Sequence, residues 1–214
     1  MWNETDWIWE RLRKDVDKVK HARLYSEIMN ARCERLLLEG DVDGALNFFE
    51  SQIKFNDENS ILNDWVLMSK IFSACEEHYK ALDYALSIDT LESKIRQAEI
   101  LLEILPSPLK ALTMLNEIRT QVVEETTVYT RSCYFLVLTE CKFKLASRLG
   151  EQGLTRHIIA HALRDLNMAI DGFENLHCDI LLRECLYFQA RGRHDLGLLE
   201  SRDLAAQSFN EFNY

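Results

Sequence analysis

The stretch that decides the fold is Thr155–Gly197, TRHIIAHALRDLNMAIDGFENLHCDILLRECLYFQARGRHDLG. Apolar residues recur along it at helical spacing, and the polar residues 175–179 interrupt this pattern. The spacing continues after them with Ile180, Leu186 and Tyr187. This period is typical of two antiparallel helices joined by a short loop. A single partner cannot satisfy the apolar stripe of either helix, so the pair predicts stacked neighbours that complete a core.

The rest of the chain supplies such neighbours. Only two prolines and seven glycines punctuate 214 residues, and the segments between them are too long for strands. We therefore predict an all-α fold, an α-solenoid of about five degenerate tetratricopeptide-like hairpins. The predicted hairpins span 26–59, 60–90, 91–122, 126–175 and 179–214, after an N-terminal helix over 1–25 that can be the remnant of a preceding repeat.

Small and large residues at fixed offsets define the repeat. Gly40 is predicted to close one helix in the left-handed conformation, Ala45 to allow close helix approach, and Phe49 to fill the space where the next repeat docks. This spacing is typical of the tetratricopeptide repeat. The remaining predicted packing residues, in the same register, are Trp65, Ala81, Ala111, Ala162 and Tyr187.

Two further residues mark predicted helix starts. Pro108 suits the first turn of a helix, because its missing N–H would have no partner there. Thr155 follows a glycine-containing loop, and its hydroxyl is predicted to cap the helix that carries Ala162.

Charge and composition argue against several classes of partner. The formal net charge is −10, so no nucleic acid partner is expected, although six basic residues fall within 11–23. The longest apolar run, Tyr134–Leu138, is far too short to span a membrane, and no signal peptide precedes it, so no membrane association is expected. The six cysteines form no C-x-x-C pair and are predicted to be reduced core residues of an intracellular protein.

The sequence contains no motif that predicts catalysis or a cofactor. His157 and His161 stand four apart on one predicted helix, but the glutamate of H-E-x-x-H is missing and no third ligand is specified, so we predict no metal site. His177 and Cys178 are explained by a turn between helices. Since the chain has neither a Gly-rich phosphate loop nor G-x-S-x-G, we predict no catalytic site.

Partner contacts are expected instead. A clamp for a C-terminal carboxylate needs several converging donors, whereas the positions that would line the predicted groove mix acids and apolar residues with Lys70 and Arg96. The groove is therefore predicted to take an apolar or mixed protein element. Trp2 and Trp7, near the N-terminus, are predicted to pack on the first repeat or on a partner.

The second helix of the opening stretch offers two more predicted contacts. Its side chains project in different directions, so Tyr187 is predicted to hold the array together while Phe188 or Arg191 faces outward to a partner.

A family resemblance rests on this same stretch. The residues of Leu166–Phe173, Cys178-Asp179, Arg183–Arg191 and Leu196-Gly197, with LYFQAR as the most specific part, resemble the C-terminal tetratricopeptide region of subunit 5 of the anaphase-promoting complex, or cyclosome. The resemblance covers roughly the last third of the chain. Gly192, which follows LYFQAR inside the predicted helix, is a departure from the family pattern. A glycine inside a helix costs about 1 kcal/mol relative to alanine.

The resemblance implies a non-catalytic scaffold subunit of a multi-subunit ubiquitin ligase that marks mitotic regulators for proteasomal degradation. It also implies contacts with the large subunit 1, subunit 4 and neighbouring repeat subunits, in the nucleus and cytoplasm, without cofactors. In the family a separate helical domain precedes this region, so the chain is expected to be a fragment, a short isoform or a short homologue. Two other hypotheses remain open: an independent peptide-binding adaptor, and a regulatory domain of a larger enzyme.

Overall fold

The computed structural model describes Arg11 and residues 22–53, 61–104, 108–149 and 152–211. Within these residues the chain forms ten α-helices and no strand, so the predicted all-α class is confirmed. The helices are α1 (Ala22–Leu38), α2 (Val42–Ile53), α3 (Ile61–Ala74), α4 (His78–Leu86), α5 (Leu91–Ile104), α6 (Pro108–Glu125), α7 (Val128–Ala146), α8 (Gln152–Asn175), α9 (Asp179–Asp195) and α10 (Leu199–Glu211). Trp2, Trp7 and most of the predicted helix over 1–25 lie outside the described residues.

The chain divides into two compact units, and the first, Met1–Asp89, contains α1–α4. Gly40 follows α1 with φ of 84°, and the Asp41 N–H donates to the Leu36 carbonyl at 2.9 Å, so this helix closes in the predicted left-handed conformation. Helices α1, α2 and α3 meet in a core cluster, in which Ala45 is fully buried and Phe49 nearly so. Its buried members are Cys33, Ala45, Phe49, Leu67 and Ile71.

Helices α3 and α4 close this unit. The Trp65 ring on α3 lies 5.4 Å from the Tyr84 ring on α4, and the Phe72 ring stacks on Tyr84 at 5.2 Å. Ala81 is fully buried, and its carbonyl accepts a hydrogen bond of 2.7 Å from the Ser69 hydroxyl. The small side chain of Ala81 therefore lets α4 approach α3 closely.

The second unit, Thr90–Tyr214, contains α5–α10, and each of these helices packs against the next. Helix α6 begins at Pro108, as predicted. Ala111 and Ala162 are fully buried on α6 and α8. Helix α7 contributes fully buried residues to this core, among them Tyr134, whose hydroxyl donates to the Leu115 carbonyl at 3.0 Å.

The structure corrects the predicted role of Thr155. Helix α8 begins at Gln152, so Thr155 lies inside the helix and does not cap it. Its hydroxyl donates to the carbonyls of Ala146 and Leu149, at 3.4 and 3.2 Å. These carbonyls lie at and beyond the end of α7, where helix carbonyls lack intrahelical partners, so the hydroxyl joins two helices.

The glycine that the sequence leaves unexplained has a packing role. Gly192 is buried within α9, and a Cβ there would lie 2.8 Å from both Leu163 Cδ2 and Phe143 Cζ. Real Cβ atoms do not approach other heavy atoms so closely, so the missing side chain allows α9 to contact the side chains of α7 and α8.

Candidate protein-interaction surface

The two cations predicted to line a groove are already paired with acids. The Lys70 ammonium on α3 forms an ion pair with the Glu34 carboxylate on α1. Arg96 on α5 pairs with Glu99 at 2.5 Å, and the Arg96 side chain is only 11% exposed. Because each positive charge is neutralised by a neighbour, neither group is well placed to bind an anionic ligand.

Three glutamates on α5, α7 and α9 form what we name the acidic face: Glu99, Glu140 and Glu184. Glu99 pairs with Arg96, and Glu140 pairs with Lys144 at 2.7 Å. Glu184 has no ion pair with another described residue. Two cations therefore compensate three acids, which leaves the acidic face with a local excess of negative charge.

Glu184 is the titratable group of this face with a large pKa shift. Loss of hydration, and then the charges of Glu140 and Glu99, raise the pKa of the Glu184 carboxyl from 4.5 to about 7. Glu184 is exposed, yet the surrounding helices displace much of the water that would stabilise its charge. A nearby cation would favour the ionised form, so this face is suited to a basic partner.

Sequence reasoning missed the acidic face, because each of its glutamates is ordinary when taken alone. The available signal was their recurrence on α5, α7 and α9, the first helices of three successive predicted hairpins. That recurrence becomes visible only when the helical register is known.

The predicted orientations of two aromatic residues on α9 are reversed in the structure. The Phe188 ring lies 5.5 Å from the Phe143 ring and packs against a buried cluster. Tyr187 is 52% exposed, although its ring approaches Phe209 of α10 at 6.5 Å. Adjacent helical residues point about 100° apart, so a small error in helix phase exchanges inward and outward positions. The prediction that Ile180 belongs to the apolar core is wrong for the same reason, because this residue is 42% exposed.

Arg191 is exposed, as predicted. Its guanidinium lies 5.7 Å from the centre of the Phe143 ring and forms no ion pair or hydrogen bond with another described residue. It lines a cleft of about 390 Å³ between the C-terminal ends of α7 and α9 and the first turns of α8. The cleft is lined by Phe143, Ala146, Ser147, Leu149, Thr155, Ile159, Arg191 and Asp195.

The histidines do not form a metal site with other described residues. The rings of His157 and His161 lie 4.5 Å apart, and a guanidinium nitrogen of Arg164 lies 2.8 Å from the ring nitrogens of His161. Loss of hydration, then Arg164 and His157, lower the pKa of His161. In the part of the chain that the structure describes, no group of three or more His, Cys, Asp or Glu residues could hold a metal ion.

All six cysteines are free thiols, and Cys33, Cys141 and Cys185 are buried as predicted. Cys75 is exposed, so the prediction that it is a core residue is wrong. Burial is the largest cause that raises the pKa of Cys33 and Cys141, each to about 12, and it also raises the pKa of Cys185. Cys178 lies beside His177 in the turn before α9, as the sequence predicts. A nucleophilic thiol needs a lowered pKa, whereas the pKa of each of these buried thiols is raised. The buried cysteines are therefore suited to packing and not to nucleophilic chemistry.

No known protein-family model matches the chain, and no curated protein sequence matches it. Among the described residues, no helix combines the length and apolar character needed to cross a bilayer.

Proposed function

We propose that this chain is a non-catalytic scaffold that binds other proteins through the surfaces of stacked helical hairpins. The observation that supports this most directly is the full burial of four alanines, which the tetratricopeptide register places at helix contacts. They are Ala45, Ala81, Ala111 and Ala162. Helical pairs that stack through such contacts provide a rigid array of side chains for protein recognition.

The finer architecture that we propose is an α-solenoid of about five degenerate tetratricopeptide-like hairpins. Its assembly would be the anaphase-promoting complex, because Leu166–Gly197 resembles the C-terminal repeats of subunit 5. In this proposal the chain binds the large subunit 1, subunit 4 and neighbouring repeat subunits, in the nucleus and cytoplasm. Ubiquitin transfer would belong to other subunits, and the chain needs no cofactor.

Purification of the tagged full chain tests this assignment. We expect mass spectrometry to detect subunits 1 and 4 with the wild-type chain. The matched control is Leu138→Asp, which places a charge in the core and should abolish folding without changing the tag. Absence of both subunits from a clean wild-type preparation, or equal recovery with the control, contradicts the cyclosome assignment.

A second candidate is an independent adaptor that binds a basic peptide, and the acidic face favours it. The Glu184 carboxylate has no cationic partner among the described residues, so lysine or arginine side chains could complete the charge balance. A lysine-rich and arginine-rich peptide should bind the isolated chain, and the double variant Glu140→Gln, Glu184→Gln should bind it more weakly.

Calorimetry with a neutral peptide of the same length is the control for this second candidate. Equal binding of the two peptides would contradict a role for the acidic face. Strong binding of the basic peptide without recovery of cyclosome subunits would favour the adaptor over the scaffold.

A further inference from the structure

Helix α9 is enclosed on one side and open on the other. Its buried residues are Leu182, Cys185, Leu186 and Gly192. On the opposite side, the exposed residues Ile180, Glu184, Tyr187 and Arg191 follow one another at helical spacing. We name these four residues the open stripe.

The open stripe is self-complementary in charge. Glu184 precedes Tyr187 by three positions, and Arg191 follows it by four. The acid and the base are thus separated by about 10.5 Å, or two helical turns, with an aromatic ring between them. If a second α9 packs across the stripe in the opposite direction, each Glu184 faces the Arg191 of the other copy, while the two Tyr187 rings meet near the centre.

Both charged groups are exposed, although the Arg191 guanidinium also lies 5.7 Å from the centre of the Phe143 ring. Neither Glu184 nor Arg191 forms an ion pair with another described residue. Tyr187 is 52% exposed, and a ring that is half in water gains by burial against another ring. A two-fold contact requires that one patch complement itself, which the order acid, ring, base satisfies.

We propose that the open stripe of α9 is the contact surface of a homodimer, in which two copies pack antiparallel and exchange Glu184–Arg191 ion pairs. This inference is independent of the proposed scaffold function. A contact made mainly by one helix is smaller than a standard protein interface, so we expect a dissociation constant that is roughly micromolar or weaker. A dimer of this kind would be in concentration-dependent equilibrium with the monomer.

Sedimentation velocity of the full chain, from low micromolar to near-millimolar concentration, tests the proposal. Wild type should shift from monomer to dimer as concentration rises. Glu184→Arg and Arg191→Glu each replace two attractive pairs by two repulsive ones, so each should raise the dissociation constant by at least about tenfold. Glu117→Arg, a charge reversal at an exposed residue of α6, should leave the dimer unchanged. Circular dichroism checks that every variant remains folded.

The decisive measurement mixes the two charge-reversed chains. In a heterodimer of Glu184→Arg with Arg191→Glu, both contacts join opposite charges again, so the mixture should dimerise although neither variant does so alone. Restoration supports antiparallel pairing through α9. A wild-type chain that is monomeric at every concentration overturns the proposal. So does a dimer that survives both reversals, or a mixture that remains monomeric.

Discussion

Helices α7 and α9 are the first helices of successive predicted hairpins, yet their surroundings differ. Helix α7 buries all six residues from Tyr134 to Thr139, and six consecutive residues cover more than one full turn, so the middle of this helix is enclosed on every side. Helix α9 buries one face and leaves the open stripe in solvent. The difference shows that similar helical units are either enclosed or left with one face in solvent, according to what packs beside them.

The largest expected effect comes from removing one apolar side chain from each helix. Leu138 on α7 is fully buried, so Leu138→Ala should lower the free energy of unfolding by about 2–5 kcal/mol. Tyr187→Ala on α9 should change it by about 0.5 kcal/mol, because half of that side chain is in water. Urea denaturation of dilute protein measures both values. Equal losses would mean that α9 is as enclosed as α7.

The next largest effect concerns two aspartates. Asp165 on α8 accepts from Arg119 of α6 at 3.0 Å and pairs with Lys142 of α7, and its side chain is 9% exposed. Asp165→Asn should destabilise the chain by about 1–3 kcal/mol, because it removes a buried charge that compensates Lys142. The control is Asp195→Asn at the exposed end of α9, with an expected change within about 0.5 kcal/mol. If thermal unfolding gives equal changes, the ion pairs around α7 contribute little.

Two glycine substitutions test the contact between α9 and its neighbours. Gly192→Ala gains about 1 kcal/mol of helix propensity but crowds Leu163 and Phe143, which costs about 1–3 kcal/mol, so we expect a net loss of up to about 2 kcal/mol. Gly153→Ala is the matched control, since a Cβ there meets no atom within 4 Å; it should stabilise the chain by about 0.5 kcal/mol. Denaturant titration measures both changes. If Gly192→Ala stabilises the chain, α9 does not approach Leu163 and Phe143 as closely as the structure indicates.

The smallest effect is the pH dependence that Glu184 confers, because solvent screens the charge of an exposed side chain. The pKa of its carboxyl is about 7 in the folded chain and 4.5 without the fold, so between these values the folded chain holds the extra proton. Stability from this group therefore falls as pH rises through that window. Relative to wild type, Glu184→Gln should become more stable as pH rises from about 4.5 to 7.

The measurement is denaturant unfolding of both chains at several pH values. A difference that does not change with pH would contradict the raised pKa of Glu184. As a second check, Glu140→Gln removes a neighbouring charge and should lower the pKa of Glu184, which an NMR titration of the carboxyl carbon can follow.

Much of the fold follows from local rules that the sequence displays. Residues 175–179 were predicted to separate two helices, and α8 ends at Asn175 while α9 begins at Asp179. Gly40 closes α1 in the left-handed conformation, and Pro108 begins α6. Both agree with the known preferences of glycine and proline at helix ends. Such features depend on a few neighbouring residues, so the sequence alone suffices to predict them.

The surface could be predicted less well, because it depends on tertiary contacts. A small phase error exchanged Tyr187 and Phe188 on α9. Thr155 has the chemistry of a helix cap, but its hydroxyl binds carbonyls at the end of another helix, which no local pattern reveals. The acidic face likewise exists only when α5, α7 and α9 lie side by side.

The pairing of Asp165 with Arg119 and Lys142 also bears on how the second unit opens. One carboxylate joins three helices, α6, α7 and α8, so none of them can detach without separating charges of opposite sign. These three helices should therefore exchange their amide hydrogens as one cooperative block. The pair α9–α10 lies outside this charge network, and we expect it to open first, as a separate and less protected block.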